Sequence, residues 1–381
     1  MKAARFYAAG DIRIEEVETP KGSDEKALVQ VEWCGICGSD INEYVQGPMS
    51  IPHTRTGPHP LTGDILPVTL GHELSGRIIQ APSTSSLSPG QAVIVDPRYY
   101  CSSCTACTSS VTNCCQSLGF LGLSGGGGGF SEKVAVPPAM LHQIPDNIDM
   151  ATATLIEPLA VAWHAVRCSG VKGFKGLPIL VIGGGPVGVA TVFVLRAWGA
   201  DQIYVSETAR RRREFLQDLV QATFDPIEVN VGSECRSLSN GSGIGLVFDC
   251  AGSQKGLEAA CDSLRFHGLY VNLAVPKSAI SLPAMYFMRK ELTYKSFLAY
   301  DDADFKATVA AFTEGIDRNY MLLSTANYET GRFAGVERMI TRRIALEELV
   351  EKGFKTLLQN PDEHIKIVAT AGELPSRDST L

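Results

Sequence analysis

The chain has 381 residues, of which 45% are hydrophobic and 20% are charged, and its formal net charge at pH 7 is -7. This composition is typical of a globular protein, and the length exceeds what one hydrophobic core usually serves, so we expect two domains. The acidic balance and the lack of a basic tract argue against nucleic acid as a partner.

No stretch of the sequence has the character of a membrane anchor. The first residues, "MKAARFYAAGDIRIEE", lack an apolar run of signal-peptide length. The longest apolar region covers residues 177–200, but Gly183–Pro186 interrupt it and Arg196 lies inside it. That pattern favours a buried strand, turn and helix over a membrane span. We therefore expect a cytoplasmic protein without a membrane partner.

The N-terminal part, to about residue 155, contains short β-like runs broken by Gly and Pro, among them "KALVQVEW", "SGRIIQ", "QAVIVDP" and "EKVAVPP". One of these leads into "VEWCGICGSD", which places Cys34 and Cys37 at C-x-x-C spacing. This spacing allows either a dithiol redox pair or a single metal thiolate at Cys37. Ile36 stands where thioredoxins have proline, and the chain is far too long for that fold, which favours the metal thiolate.

A second cysteine cluster lies in "YCSSCTACTSSVTNCC". The chain has 11 cysteines, and in a reducing compartment clustered cysteines serve metals or catalysis more often than disulfides. Cys101, Cys104, Cys107 and Cys115 follow one another at spacings of three, three and eight residues, which predicts a closed tetrahedral site for structural zinc. Spacing alone leaves Cys114 open as the fourth ligand.

From about Glu157 to residue 300 the pattern changes to alternating strands and helices, which predicts a parallel sheet covered by helices. The strand "PILVIG" is followed by the turn Gly183–Gly188, which fits G-x-G-x-x-G and opens an apolar helix. In that context Gly183 allows the tight turn, Gly185 allows close approach of a pyrophosphate, and Gly188 allows close packing of helix and strand. Pro186 and Val187 begin the helix. The tail then predicts a helix, "IALEELVEKGFKTLLQN", and a strand, "HIKIVAT".

Glu207 ends the next strand, 19 residues after Gly188, and is expected to accept hydrogen bonds from the ribose hydroxyls of NAD. It would also repel the 2′-phosphate of NADP. Four arginines follow at residues 210–213, and Arg212 is assigned to the cofactor site. NAD is favoured because of Glu207, but NADP stays open because arginine accommodates a 2′-phosphate.

A third group of polar residues is scattered through the first half of the chain. Cys37, His72 and Glu73 in "LGHELSG", and Glu157 in "LIEPLAVAWHAV", together supply one thiolate, one imidazole and two carboxylates. This donor set suits a catalytic zinc with an open position for water or substrate.

With these motifs in order along the chain, the sequence resembles the zinc-containing medium-chain alcohol dehydrogenases. The resemblance rests on "GICGSD", "GHE", the cysteine loop and the Gly183–Gly188 turn. It implies an α/β protein with a GroES-like, mostly β catalytic domain and a Rossmann domain with a doubly wound parallel sheet. The expected boundaries are 1–157 and 306–381 for the catalytic domain and 158–305 for the NAD-binding domain. A homo-oligomer, a dimer or a tetramer, is expected.

Within that family the segments "HPLTG", "PVTLGHELSG", "LGFLGLSGGGGGFSE" and "MITRRIALEELVEKGF" resemble the (R,R)-2,3-butanediol dehydrogenases, with sorbitol (or xylitol) and threonine dehydrogenases as the nearest alternatives. The resemblance implies an enzyme with one catalytic and one structural Zn²⁺ that interconverts a secondary alcohol, such as a vicinal diol, and its ketone, such as acetoin, with NAD(H). Whether Glu73 or Glu157 ligates the metal is left open.

The resemblance also identifies Ser39 as the hydroxyl that takes the alcohol proton, with a helix N-cap as its other possible role. The family usually has a histidine five residues after the metal cysteine, and this chain has Asn42 there. An amide does not titrate, so the proton must leave by another route. That departure leaves room for a reductase acting on a larger carbonyl compound. A non-catalytic binding protein on the same fold is disfavoured, because Cys37 and His72 are both present.

Overall fold

A computed structural model describes residues 1–276, 278–314 and 331–374. The chain divides into two compact units, one made of Met1–Glu157 with Asp301–Leu381 and the other of Pro158–Tyr300. The second crossing therefore falls at Asp301 rather than at the expected residue 306. The reason is local, because a helix starts at Asp302 and Asp301 caps it by accepting a hydrogen bond from the Asp304 backbone, so the helix stays whole within the first unit. Parts of the expected C-terminal segment, 315–330 and 375–381, lie outside the described residues.

The described residues contain strands of two to nine residues. In chain order they are β1 Lys2–Ala8, β2 Asp11–Glu16, β3 Ala27–Gly35, β4 Val68–Thr69, β5 Glu73–Gln80, β6 Ala92–Val95, β7 Arg98–Tyr99, β8 Gly119–Phe120, β9 Lys133–Val136, β10 Leu141–Gln143, β11 Ile179–Ile182, β12 Ile203–Ser206, β13 Ala222–Phe224, β14 Ile244–Asp249, β15 Leu264–Asn272, β16 Thr293–Ser296, β17 Ile340–Ala345 and β18 Lys366–Thr370.

The α-helices are α1 Gly38–Gln46, α2 Thr105–Thr108, α3 Met150–Ala153, α4 Ile156–Ser169, α5 Pro186–Ala197, α6 Arg210–Leu216, α7 Val231–Leu238, α8 Gln254–Ser263, α9 Ala284–Lys290, α10 Asp302–Thr313 and α11 Lys355–Gln359. Within the described ranges, no helix combines the length and apolar character that crossing a bilayer requires.

The first unit is built on a seven-stranded sheet in the order β10-β6-β5-β3-β18-β17, with β9 also paired to β3. A smaller sheet, β2-β1-β4, accompanies it. The C-terminal strand β18 runs antiparallel to β3, with Val368 opposite Gly35. The last part of the chain therefore completes the sheet begun by the first part, around a core that includes Phe6, Leu74 and Phe354.

The second unit contains a six-stranded parallel sheet in the order β13-β12-β11-β14-β15-β16. The residues of β11, "ILVI", are buried throughout, as expected for a strand covered on both faces. The chain starts at the centre and winds outward to each side, so a crevice opens beyond the carboxyl ends of β11 and β14. The expected doubly wound parallel sheet is confirmed.

The C-terminal helix is shorter than the sequence predicts. Ile344 and Ala345 still belong to β17, where they pair with Ala369 and Thr370 of β18. The rest of the predicted helix consists of three successive short helices: a 3₁₀ turn Leu346–Glu348, a π-helical turn Leu349–Phe354 and then α11. Strand pairing with β18 takes the first two residues because their backbone groups find ladder partners there.

Candidate active site

Cys37, His72 and Glu73 come together in the first unit, with ligand atoms that all lie within 4.8 Å of one another. The antiparallel pairing of β3 and β5 brings this about, because Gly35 at the end of β3 lies opposite Glu73 at the start of β5. Cys37 follows β3 by two residues and His72 immediately precedes β5. One thiol, one imidazole and one carboxylate in this arrangement fit a zinc ion, whose protein ligands are sulfur, nitrogen and oxygen.

Asp40 supports both the cysteine and the histidine of this cluster. Its Oδ2 accepts a hydrogen bond of 2.9 Å from the Cys37 backbone N–H, and its Oδ1 lies 3.6 Å from Nδ1 of His72. The second distance is too long for a good hydrogen bond, and among the described residues neither atom has another partner. A metal-bound histidine commonly donates its other ring N–H to a carboxylate. Asp40 is the carboxylate placed to accept such a hydrogen bond from Nδ1 of His72.

The local charges also act on the protonation of His72. Burial lowers the pKa of the imidazole, but Asp40 and the Cys37 sulfur outweigh that effect and hold the pKa well above its ordinary value. Because a metal binds only the neutral imidazole, zinc must displace a proton from His72 on binding.

Lys366, like Asp40, is a residue of this site that the sequence analysis missed. Its Nζ donates hydrogen bonds of 2.7 Å to each carboxylate oxygen of Glu73 and one of 3.1 Å to the Ile36 carbonyl. Both charged side chains are only 1% exposed. Burial lowers the pKa of Lys366, but Glu73 and Cys37 outweigh it, so the pKa is raised and the amine is charged. The available signal was a single lysine within the otherwise apolar run "IKIVAT".

The two candidate carboxylates occupy different positions. Glu73 belongs to the three-residue cluster and Glu157 does not. Glu157 is buried near the start of α4 and lies close enough to Lys366 to raise the pKa of that amine, with a smaller effect than Glu73 or Cys37. Glu73, held by Lys366 beside the cysteine and the histidine, is therefore the carboxylate nearer to the ligand set.

Ser39 lies in the first turn of α1 with its Oγ 3.2 Å from Nε2 of His72. The N-cap of this helix is Cys37, so the alternative role of Ser39 as N-cap is wrong. Glu43 is buried and accepts hydrogen bonds of 2.7 Å from the backbone N–H groups of Met49 and Ser50. Glu43 therefore holds the turn after the helix. It is not available to take the proton-transfer role of the histidine that the family resemblance implies at position 42.

Cys34, the other member of the C-x-x-C pair, is fully buried at the end of β3. Burial raises the pKa of its thiol well above the ordinary value, and nearby Asp40 and Glu73 raise it further. A neutral, buried thiol is inert toward disulfide exchange, which argues against the redox interpretation.

The four cysteines of the second cluster, Cys101, Cys104, Cys107 and Cys115, also converge within 4.8 Å. The Sγ atoms of Cys104 and Cys107 are 3.6 Å apart, and those of Cys101 and Cys107 are 4.0 Å apart. Four sulfurs at a Zn–S distance of about 2.3 Å in a tetrahedron would be separated by about 3.8 Å, so the geometry fits structural zinc. Cys114 is exposed and lies outside the cluster.

A buried arginine ties this cysteine lobe to the rest of its unit. Arg98 donates hydrogen bonds to Asp96, to Thr112 between the third and fourth cysteines, and to Asp302 at the start of α10. Tyr100 donates a further hydrogen bond of 2.8 Å to Asp302. Because the guanidinium is fully buried, these acceptors balance a charge that would otherwise be costly to bury.

The glycine turn of the second unit forms a cradle at the start of α5. Gly183 has φ +92°, and a Cβ at position 188 would lie 1.8 Å from the Gly183 carbonyl oxygen, so both positions require glycine. A Cβ at Gly185 would meet only the guanidinium of Arg212, 3.6 Å away. Gly185 is the N-cap and Pro186 the first residue of α5. Among the residues that the structure describes, no side chain caps this helix, so its N-terminal N–H groups are suited to a phosphate.

Glu207 lies against this turn and is buried. Its Oε2 accepts a hydrogen bond of 2.5 Å from the Gly184 N–H, and its Oε1 accepts one of 2.7 Å from the Ala209 N–H. Arg213 points away, since it donates to the Glu207 and Thr208 carbonyls and pairs with Asp225 at 2.9 Å. Arg212, by contrast, lies beside the phosphate cradle.

Comparison with known proteins identifies the class. Residues 23–146 match the alcohol dehydrogenase GroES-like domain and residues 186–314 match the zinc-binding dehydrogenase domain. The (R,R)-butanediol dehydrogenase of Bacillus subtilis is 33% identical over 97% of this chain and 99% of its own length. The chain belongs to the zinc-binding alcohol dehydrogenases, and the fold and enzyme class expected from its motifs are confirmed.

Two solved structures extend the comparison. The crystal structure of 2R,3R-butanediol dehydrogenase from Bacillus subtilis has a TM-score of 0.85 and covers 97% of this chain and 99% of that chain at 33% identity. A putative zinc-binding dehydrogenase from Sinorhizobium meliloti, bound to NADP, has a TM-score of 0.81 at 27% identity and covers 97% of this chain and 98% of that chain.

Proposed function

We propose that this enzyme oxidises a vicinal diol such as 2,3-butanediol to the hydroxyketone acetoin with NAD, and catalyses the reverse reduction with NADH. The observation that carries the proposal is the Cys37, His72 and Glu73 cluster, which stands in a chain similar over 97% of its length to a butanediol dehydrogenase. When bound, zinc supplies a Lewis acid that stabilises negative charge on the substrate oxygen, and NAD supplies the hydride acceptor.

The proposed zinc ligands are Cys37, His72 and Glu73. Glu157 is the alternative carboxylate ligand. Membership in the 4.8 Å cluster supports Glu73 over Glu157 as the direct ligand. Lys366 offsets part of the negative charge that Glu73 and Cys37 bring to the site. An extra carboxylate without a nearby positive charge would weaken the Lewis acidity of a bound zinc. The charge of Lys366 reduces that weakening.

Ser39 is the proposed first acceptor of the alcohol proton. Its Oγ lies 3.2 Å from Nε2 of His72, so Ser39 borders the proposed ligand set. A serine hydroxyl passes a proton on by donating its own. Asn42 takes no proton, because an amide does not titrate, so the proton must reach solvent through water or the cofactor ribose.

NAD is the proposed cofactor, at a site made by Gly183, Gly185, Pro186, Val187, Gly188, Glu207 and Arg212. The buried negative charge of Glu207 beside the phosphate cradle supports NAD over NADP. Arg212 at the cradle offsets pyrophosphate charge. The NADP-bound relative makes the cofactor choice a direct question for experiment, with kcat/KM for the two cofactors as the measure.

A homo-oligomer is proposed as well, joined at the free edge of the second unit's sheet. β16 is the last strand on that side among the described residues, and its open backbone groups are suited to pair with a second copy. Large apolar side chains are exposed on and next to it: Val275, Leu282, Met285, Met288, Tyr294 and Leu298. Sedimentation velocity separates a monomer from a dimer or tetramer. The proposed compartment is the cytoplasm.

A substrate panel tests the activity. We expect NAD reduction with (R,R)-2,3-butanediol at a kcat/KM at least tenfold above that for 2-butanol, because the second hydroxyl adds a contact that the simple alcohol lacks. The panel also contains the other butanediol stereoisomers, sorbitol, xylitol and threonine. Equal kcat/KM for 2,3-butanediol and 2-butanol rejects the diol preference, and a preferred polyol or amino acid replaces the substrate class.

A further inference from the structure

Asp249 is the last residue of β14, and its carboxylate is fully buried with both oxygens accepting hydrogen bonds. Its Oδ1 accepts hydrogen bonds of 2.8 Å and 3.0 Å from the backbone N–H groups of Ala251 and Gly252. Its Oδ2 accepts a hydrogen bond of 2.6 Å from the hydroxyl of Tyr270 on the neighbouring strand β15. The side chain therefore curls the loop of residues 250–252 back over the end of its own strand.

This loop is packed against the phosphate cradle. A Cβ at Gly183 would lie 3.1 Å from the Cβ of Ala251, so the alanine touches the glycine turn. The Cys250 N–H donates a hydrogen bond to the carbonyl of Ile182, the last residue of β11. The loop of residues 250–252 therefore lies directly beside the glycine turn.

The position of the loop in the sheet indicates which half of the cofactor it faces. The order β13-β12-β11-β14-β15-β16 puts Glu207 and α6 on one side of the crevice and the loop of residues 250–252 on the other. A dinucleotide binds across such a crevice with its pyrophosphate at the central turn and the adenosine ribose at the acidic residue after the second strand. The nicotinamide half then falls on the β14 side.

We propose that Asp249, held by Tyr270, is a positioning residue that fixes the loop of residues 250–252 as the wall of the nicotinamide half of the cofactor cleft. The inference rests on the cofactor of the proposed function. It deepens that proposal by separating the two halves of the site: Glu207 serves the adenosine side and Asp249 the nicotinamide side.

Tyr270 is itself well fixed. It is 2% exposed and stacks on Tyr294 of β16 with ring centroids 5.2 Å apart. Its hydroxyl therefore reaches Asp249 from a rigid ring, and removal of that single oxygen leaves the strand and the stacking in place. Tyr270→Phe is thus the informative variant, with Asp249→Asn as the second. Tyr204→Phe is the matched control, because Tyr204 is a buried tyrosine of β12 stacked on Phe224.

The experiment compares binding of NADH with binding of AMP, which carries only the adenosine half, by calorimetry on the full-length protein. For Tyr270→Phe we expect about a tenfold loss of NADH affinity, the size of one charge-assisted hydrogen bond. AMP affinity should stay within twofold of wild type. Asp249→Asn should shift NADH affinity in the same direction, and Tyr204→Phe should leave both ligands unchanged.

Two outcomes overturn the inference: equal weakening of NADH and AMP, which indicates general damage to the domain, and unchanged NADH affinity in both Tyr270→Phe and Asp249→Asn. Failure of the cofactor proposal has a different signature, since wild-type protein would then bind neither NADH nor AMP. Circular dichroism and thermal unfolding of each variant establish that the domain is folded before the affinities are compared.

Discussion

Lys366 and Glu73 form an ion pair buried from solvent, with the amine 2.7 Å from each carboxylate oxygen. The pair joins the first residue of β18 to the first residue of β5, next to the proposed zinc ligands Cys37 and His72. The C-terminal strand that completes the first unit's sheet therefore also supplies the positive charge beside the proposed metal site. Breaking a buried pair leaves one charge without a partner, which typically costs about 3–5 kcal/mol.

We expect Lys366→Met to lower the free energy of unfolding by about 3 kcal/mol or more and to lower kcat/KM, because Glu73 then keeps an uncompensated charge beside the ligand set. Lys366→Arg should retain most of both. Urea unfolding and steady-state kinetics measure the two effects. The double variant Lys366→Met, Glu73→Gln should regain stability, since neither charge remains; no recovery in that variant would contradict the role of the pair.

Asp40 is expected to control zinc affinity through His72. Asp40→Asn removes the charge that faces Nδ1 of His72, 3.6 Å away, and the loss of such a partner typically weakens metal binding about 10- to 100-fold. Zinc retained after dialysis against a graded series of chelators, measured by metal analysis, gives the affinity. Glu43→Gln is the matched control, because Glu43 is a buried acid of the same helix whose side chain accepts hydrogen bonds from the turn at residues 49–50. If both variants lose zinc equally, Asp40 has no special role.

The cysteine lobe should show an ordered reactivity once its metal is removed. Hydrogen bonds from the Ser103 backbone and hydroxyl and from the Cys104 backbone lower the pKa of Cys101 to about 6, whereas burial and neighbouring thiols raise the pKa of Cys107 to about 12. At pH 7 Cys101 is then largely thiolate, whereas Cys107 is almost entirely protonated.

Alkylation with iodoacetamide after chelator treatment, followed by mass spectrometry, measures this order. Cys101 should react well before Cys107, and raising the pH from 7 to 9 should accelerate Cys107 far more than Cys101. Zinc-loaded protein should protect all four cysteines, while exposed Cys114 reacts in both states and serves as the internal control. Simultaneous loss of Cys101 and Cys107 at pH 7 would contradict the assignment.

The parts of the site that the sequence predicted are those whose residues stand close together in the chain. The spacing of Cys101–Cys115, the Gly183–Gly188 turn and the "GHE" triplet each carry their geometry locally, because a tight loop or a strand end allows few arrangements. Fold class followed from the same motifs, together with the alternation of strands and helices after Glu157.

What the sequence did not reveal depends on contacts over long separations. Lys366 meets Glu73 across 293 residues, and no local pattern links a lysine in a C-terminal strand to an acid in β5. Tyr270 and Asp249 meet only because β15 lies beside β14. The sequence predicts too long a C-terminal helix for a similar reason. Pairing of Ile344 with Ala369 in the sheet overrides the helical character of "IALEEL".

Asn42 provides the last prediction, because the family resemblance implies a histidine at this position and the chain has an amide there. An amide takes no proton, so the alcohol proton must leave through water or the cofactor ribose. The rate should therefore depend on external buffer more strongly than in an enzyme with histidine at this position. Glu43 is not a substitute, because the backbone of residues 49 and 50 occupies both of its oxygens.

We expect Asn42→His to raise kcat below pH 8 and to reduce the dependence of kcat on buffer concentration. Steady-state rates over a series of buffer concentrations at constant ionic strength measure this, with Asn42→Gln as the control that keeps an amide. An Asn42→His enzyme with the same buffer response as the parent would show that the proton leaves by a route that does not pass residue 42.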